Sequence, residues 1–123
     1  MNGYKLLADT NILIMLVDGN ERVAELLEGC QVFTSFISEL ELLSASGLQS
    51  KQIKKLDALL SDCTIIEINT AIKSTSIAIR RKHKVKLPDA IVAATAITLD
   101  LPLITTDKGF KIIDGLSLIL FEL

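Results

Sequence analysis

Five short segments, at residues 4–8, 31–34, 64–68, 103–105 and 118–121, most of them aliphatic, constrain this chain more than any other feature. They do not alternate polar with apolar residues, as a half-solvated strand would. Continuous runs of this kind read as strands covered on both faces. The stretches between them carry helical signals. Residues 12–17 read as a short helix, and Asn20 caps a second over 21–28 that Gly29 stops. A third helix starts at Ser35 or Ser38 and runs to Ser46, with Gly47 as terminator. Ser50 caps a fourth over 51–60, where Ile53, Leu56, Leu59 and Leu60 keep the 3.6-residue period. Asn69 caps a fifth over 71–84. Pro88 belongs in the first turn of a sixth that reaches about Leu99. Residues 108–113 make a turn or short helix.

Strands separated by helices pair in parallel through right-handed crossovers. The expected class is therefore α/β: a three-layer α/β/α sandwich around a central parallel sheet of four or five strands. With 123 residues the chain suits one domain spanning 1–123. Leu and Ile together supply 37 residues, while aromatics are 4% and Trp is absent. So much aliphatic surface in so small a domain points to an apolar patch kept for a partner. The scarcity of aromatics argues against broad single-strand binding by base stacking. Phe33, Phe36, Phe110 and Phe121 read as core or interface. Residues 12–17 are too short to span a membrane, and Asp9 and Asn11 spoil them as a signal core. Cys30 and Cys63 read as buried thiols. The expectation is a cytoplasmic protein without a membrane segment.

In parallel sheets the chemistry lies beyond the carboxyl ends of the strands. Asp9 ends the first run and Asp107 the fourth, so both fall on that rim. Asp89 sits in the first turn behind Pro88, and Glu41 in the helix after the second strand. The layout lets all four converge. Two like charges about 4 Å apart repel by roughly 4 kcal/mol at an effective dielectric near 20. Such a cluster either protonates or holds cations. With no His or Cys among its members it suits a hard divalent ion, Mg²⁺ or Mn²⁺, and not zinc.

Each acid also has a local role that needs no metal. Asp9 can start an Asx turn, Asp89 can complement a helix N-terminus, and Asp107 before Lys108-Gly109 can be turn chemistry. Ser38-Glu39-Leu40-Glu41 has the spacing of a capping box. Glu39 and Glu41 lie roughly 200° apart around a helix, so only one faces the pocket. Glu41, among Leu40, Leu42 and Leu43, has the partly desolvated setting, and Glu39 the exposed one.

These segments together resemble a known family. Asp9-Thr10-Asn11 follows an aliphatic strand, and Ser35 precedes Glu41-Leu42-Leu43. Next come Leu87-Pro88-Asp89-Ala90-Ile91-Val92-Ala93-Ala94-Thr95-Ala96 and Leu103-Ile104-Thr105-Thr106-Asp107-Lys108-Gly109-Phe110. In this order they are similar to the PIN domain, in particular to VapC-type ribonuclease toxins of type II toxin–antitoxin systems. The resemblance implies catalytic, metal-binding acids at Asp9, Glu41, Asp89 and Asp107, with Thr105 and Asn11 supporting the pocket. It implies metal-dependent endoribonuclease activity with Mg²⁺ or Mn²⁺, an RNA substrate, an antitoxin partner in an apolar groove, and a homodimer. Thr106 stands where the family often carries a basic residue, and the family's fourth acid varies. An inactive PIN-like scaffold with structural acids is the alternative.

The charge balance, 13 Lys and Arg against 15 Asp and Glu, is wrong for holding nucleic acid by bulk charge. Yet six of the thirteen cations lie within residues 73–86. Of these, Arg80, Arg81, Lys82, Lys84 and Lys86 are candidates to guide an RNA backbone. The same run would also complement a helix C-terminus. His83 within it reads as solvated surface. A haloacid-dehalogenase-like phosphatase would need a second acid where Asn11 stands, and a receiver domain an Asp at the end of the third strand.

Overall fold

The computed structural model describes residues 3–123. Five strands, β1 (Lys5–Ala8), β2 (Gln31–Ser35), β3 (Thr64–Ile66), β4 (Leu103–Thr105) and β5 (Leu118–Leu120), form one sheet in the order β3-β2-β1-β4-β5. Every pairing is parallel. Helices α1 (Thr10–Val17) and α2 (Glu21–Leu27) connect β1 to β2. Helices α3 (Phe36–Leu43) and α4 (Ser50–Ser61) lead to β3; α5 (Thr70–Lys82) and α6 (Leu87–Leu99) lead to β4. A 3-10 turn over Lys108–Ile112 precedes β5.

The two-residue pleat of the strands splits the core in two. Leu7 and Leu103 pack with Ile72, Ile79, Phe110 and the α6 residues. Leu6, Ala8 and Ile104 face the opposite way, onto Ile12, Leu13, Val23, Leu42 and Leu56. Central β1 and β4 are therefore buried on both faces, whereas edge strands β3 and β5 are only half covered. α6 is buried on nearly every side from Ala90 to Ala96. Its alanines let it lie close to the sheet, and that fixes Asp89 in its first turn against the strand ends.

Local signals explain most helix starts. Asn20 accepts from the Val23 N–H at 3.0 Å, and Asn69 from the Ile72 N–H at 2.8 Å. Several boundaries differ from expectation: α1 begins at Thr10 rather than residue 12, and α5 ends at Lys82 rather than residue 84. α3 begins at Phe36 under a Ser35 cap, whose hydroxyl accepts from the Ile37 N–H at 3.1 Å. Ser38 is therefore inside the helix, the expected capping box with Glu41 is absent, and the helix ends at Leu43 rather than Ser46. α4 begins at Ser50 with Gln49 as its cap, the Gln49 N–H donating to Gln52 Oε1 at 2.8 Å. β3 stops at Ile66, two residues early. Cys30 and Cys63 are half-buried rather than buried, and neither is in a disulfide. Among the described residues no helix is long and apolar enough to cross a membrane.

Candidate metal centre

The chain leaves β1 to build outward first, through β2 and β3, then returns to add β4 and β5 on the other side. The rim between β1 and β4 is thus the switch point of the sheet, where the loops diverge and leave a crevice. Asp9 stands there at the end of β1. Its backbone N–H donates to the Ile104 carbonyl at 3.0 Å, which ties it to β4. It also caps α1: Oδ1 accepts from the Thr10 N–H at 2.9 Å. Oδ2 accepts from the hydroxyl of fully buried Thr105 at 2.7 Å. That hydroxyl in turn accepts from the Asp107 N–H at 3.1 Å. Thr105 thereby locks the first acid to the loop that carries the last.

Asp107 does the turn work its sequence suggested, its Oδ1 accepting from the Gly109 N–H at 2.8 Å. A Cβ at Gly109 would sit 3.0 Å from that same oxygen, so glycine keeps the loop tight. Glu41 reaches in from α3, and the Thr10 hydroxyl donates to its Oε1 at 2.6 Å. It was expected in a desolvated setting. Instead Glu41 is exposed, as are Leu40 and Leu43, while Glu39 is the half-buried one. α3 turns its Leu42 face to the core and leaves Leu40, Glu41 and Leu43 outside it. Asn11 is exposed in the first turn of α1. The contacts that order this side of the pocket come from its neighbour Thr10 and from Ser38, which the sequence reading gives a helix-capping role and not a place in the pocket.

Electrostatics tie the four acids together. Burial, more than any other influence, pushes the Asp9 carboxyl above the ordinary carboxylate value. Hydrogen bonds from Thr105 and the Thr10 N–H oppose the rise, while the charges of Glu41 and Asp107 add to it. Asp89 is raised as well, first by burial and then by Asp9, Asp107 and Glu41, with Lys86 pulling the other way. Asp9, Glu41 and Asp107 therefore each act on another acid across the crevice, and Asp89 feels all three. Carboxylates held above their solution value are destabilised in their charged form, and a divalent cation relieves that directly.

The donor set fits a hard cation, since every candidate ligand is oxygen. Among the described residues no three His, Cys, Asp or Glu side chains are gathered tightly enough to hold an ion unaided.

Without metal, these shifts predict a stability effect with a definite sign. A carboxyl raised in the folded state binds more protons than in the unfolded chain. Stability therefore falls as pH climbs from the ordinary value of 3.8 through the raised one. Asp89→Asn should raise the melting temperature of metal-free protein at neutral pH. The gain should shrink as pH is lowered through the carboxylate range, and calorimetric scans at pH 4 and pH 7 check this.

The expected basic run divides. Lys84 and Lys86 line a cleft of about 250 Å³ together with Asp89, Asp107, Gly109 and Phe110. Arg80 and Arg81 line a different one, beside Ser76, Ile77 and Leu87, and the Arg80 Nε–H donates to the Val85 carbonyl at 3.2 Å. Lys82 pairs with Asp114 at 2.6 Å. His83, expected on the solvated surface, tucks its ring under this pair with its side chain only 12% exposed, 3.7 Å from Asp114.

This crevice, with its four acids on a five-strand parallel sheet, defines a PIN-type α/β fold. The PIN domain family matches residues 6–116, and the chain belongs to that family. A chain of a toxin–antitoxin complex from Klebsiella pneumoniae is 36% identical with a TM-score of 0.83, over 96% of this chain and 99% of that one. VapBC2 from Rickettsia felis, bound to a DNA fragment from its promoter, shares 24% identity and a TM-score of 0.84, covering 96% and 99%. FitAcB from Neisseria gonorrhoeae shares 23% and 0.78, covering 93% and 96%. The last two are likenesses of fold. No curated protein matches the chain.

Proposed function

We propose that residues 1–123 form a single metal-dependent endoribonuclease domain, the toxin of a type II toxin–antitoxin pair acting in the cytoplasm. The observation that carries this reading is buried Asp9 at the switch point of a PIN sheet, within electrostatic reach of Glu41 and Asp107, with Asp89 within reach of all three. Purely structural acids would be satisfied by local bonds. Here the local bonds to Asp9 fail to offset its burial and its neighbours. The 36% identical chain from a toxin–antitoxin complex supports the toxin assignment.

Asp9, Glu41, Asp89 and Asp107 would hold Mg²⁺ or Mn²⁺. When bound, the ion supplies Lewis acidity that makes water acidic enough to attack and offsets charge developing on the scissile phosphate. Asp9, with both oxygens engaged by fixed donors, sets the position of the centre. Asp89, in the first turn of α6, would face that centre from the helix side, and a carboxylate of the cluster would accept the proton released by the attacking water. Lys84 and Lys86, next to Asp89 and Asp107, would meet the following phosphate of the strand. With four of the fifteen acids assigned to metal, the remaining eleven are outnumbered by the thirteen Lys and Arg, which removes the objection raised by the acidic balance.

Replacing Lys84 and Lys86 together by Ala should raise KM for RNA, hold kcat, and reduce the salt slope of binding by roughly 1.4, two contacts at about 0.7 each. Arg80→Ala should change neither. Kinetics across a series of salt concentrations check both statements.

The groove of about 450 Å³ between α1, α3 and α4, lined by Ile14, Val17, Leu42, Leu48 and Leu56, ends at Glu41. It offers an apolar antitoxin segment a seat that reaches the acids. Exposed Ile77 and Leu87 give a homodimer an apolar face on the side of Arg80 and Arg81.

The test is cleavage of a single-stranded RNA. Products should form in Mg²⁺, vanish in excess chelator and return when Mg²⁺ is restored. Equal cleavage in chelator would contradict the reading.

A further inference from the structure

Glu41 differs from the other three acids in being exposed on a helix, at a point where nothing in α3 itself holds its carboxylate over the crevice. Long exposed side chains sample many rotamers, so an acid that serves a metal there needs an external restraint. The structure provides one. Thr10 Oγ1 lies 2.6 Å from Glu41 Oε1 and 2.9 Å from Ser38 Oγ. A hydroxyl has one proton to donate, and an ionised carboxylate only accepts. The Thr10 proton therefore goes to Glu41, and fully buried Ser38 donates to Thr10. The direction of the chain Ser38 to Thr10 to Glu41 follows from the charge at its end.

The placement of the three residues is specific. Thr10 is the first residue of α1, and its own N–H caps onto Asp9. The same residue thus binds one acid through its backbone and another through its side chain. Ser38 and Glu41 are three apart in α3 and share a helix face. Because Ser35 caps α3, Ser38 is released from that duty and turns its hydroxyl inward.

We infer that Thr10, supported by Ser38, is a positioning residue that fixes Glu41 relative to Asp9 and so sets the affinity of the metal centre. This rests on the reading of the four acids as metal ligands. Hydrogen bonds that orient a ligand matter for affinity at the level of 10–100-fold.

The test is a double-mutant cycle read by Mn²⁺ titration calorimetry on the full chain. Thr10→Val keeps the shape and the N–H to Asp9 but removes the hydroxyl. It should weaken Mn²⁺ binding by about 10–100-fold, and Thr10→Ser should restore it. In a Glu41→Gln background the same Thr10→Val change should move Mn²⁺ affinity by less than about twofold, because its target charge is already gone. A tie between α1 and α3 that is merely structural would lower the melting temperature of metal-free protein while leaving Mn²⁺ affinity unchanged. That result overturns the inference, as does an equal loss in both backgrounds. If Glu41→Gln and Asp9→Asn both leave Mn²⁺ binding intact, the metal reading itself fails. If Asp9→Asn abolishes it, Glu41→Gln weakens it and Thr10→Val is silent, only the positioning role fails.

Discussion

Asp9→Asn should leave a folded protein whose Mg²⁺-dependent RNA cleavage has fallen at least about a hundredfold, a loss of roughly 2.7 kcal/mol in transition-state stabilisation. The substitution conserves shape, and the new amide oxygen still accepts from the Thr10 N–H that caps α1. What disappears is the charge at the centre of the site. Asp9 is the one acid of the four that is buried, and it touches both the Glu41 and the Asp107 sides electrostatically. A cation held by the remaining three would lose its most enclosed ligand. Cleavage assays with calorimetry on the same sample separate this from unfolding: activity collapses while the melting transition stays cooperative.

Thr105→Val should be the most destabilising conservative change in the site. Its hydroxyl is fully buried and serves two groups at once, donating to Asp9 Oδ2 at 2.7 Å and accepting from the Asp107 N–H at 3.1 Å. Valine fills the same volume but leaves a buried carboxylate and an amide without that partner. A loss of about 2–3 kcal/mol is expected from such orphaned groups. The lost bond also lets the Asp9 carboxyl rise further above its ordinary value, since this hydrogen bond now opposes burial. Mn²⁺ binding should then weaken more steeply as pH falls than it does in wild type. Thr105→Ser should recover most of both effects. Denaturant unfolding and Mn²⁺ titration at two pH values measure them.

Much of this was legible in the residues. The continuous aliphatic runs required a parallel, doubly covered sheet, and parallel sheets place chemistry at their carboxyl ends. That reasoning led to Asp9 and Asp107, and Pro88 led to Asp89. The local details were not legible because several residues carry equivalent signals. Ser35 and Ser38 both have the chemistry of a helix cap, and only packing of α1 on α3 decides between them. With Ser35 and Ser38 equivalent as caps, nothing in the sequence links Ser38 to Thr10. Under the Ser35 alternative, the three-residue spacing of Ser38 and Glu41 points to a shared face. Glu41 was placed in an apolar setting by its leucine neighbours, but α3 buries Leu42 and turns Leu40 and Leu43 outward. The basic run looked continuous, yet the end of α5 sends Lys82 to Asp114 and leaves only Lys84 and Lys86 beside the acids. Long-range partners of this kind have no periodic signature.

Four carboxylates at the β1–β4 switch point, acting as one cation site, would give the protein a defined affinity for a divalent ion. Calorimetric titration of the intact protein with Mn²⁺ near neutral pH addresses it most directly. Saturable binding is predicted for wild type, lost in Asp9→Asn and weakened in Asp89→Asn, with both variants folded. Binding that is absent in wild type, or equally strong in Asp9→Asn, would contradict the account.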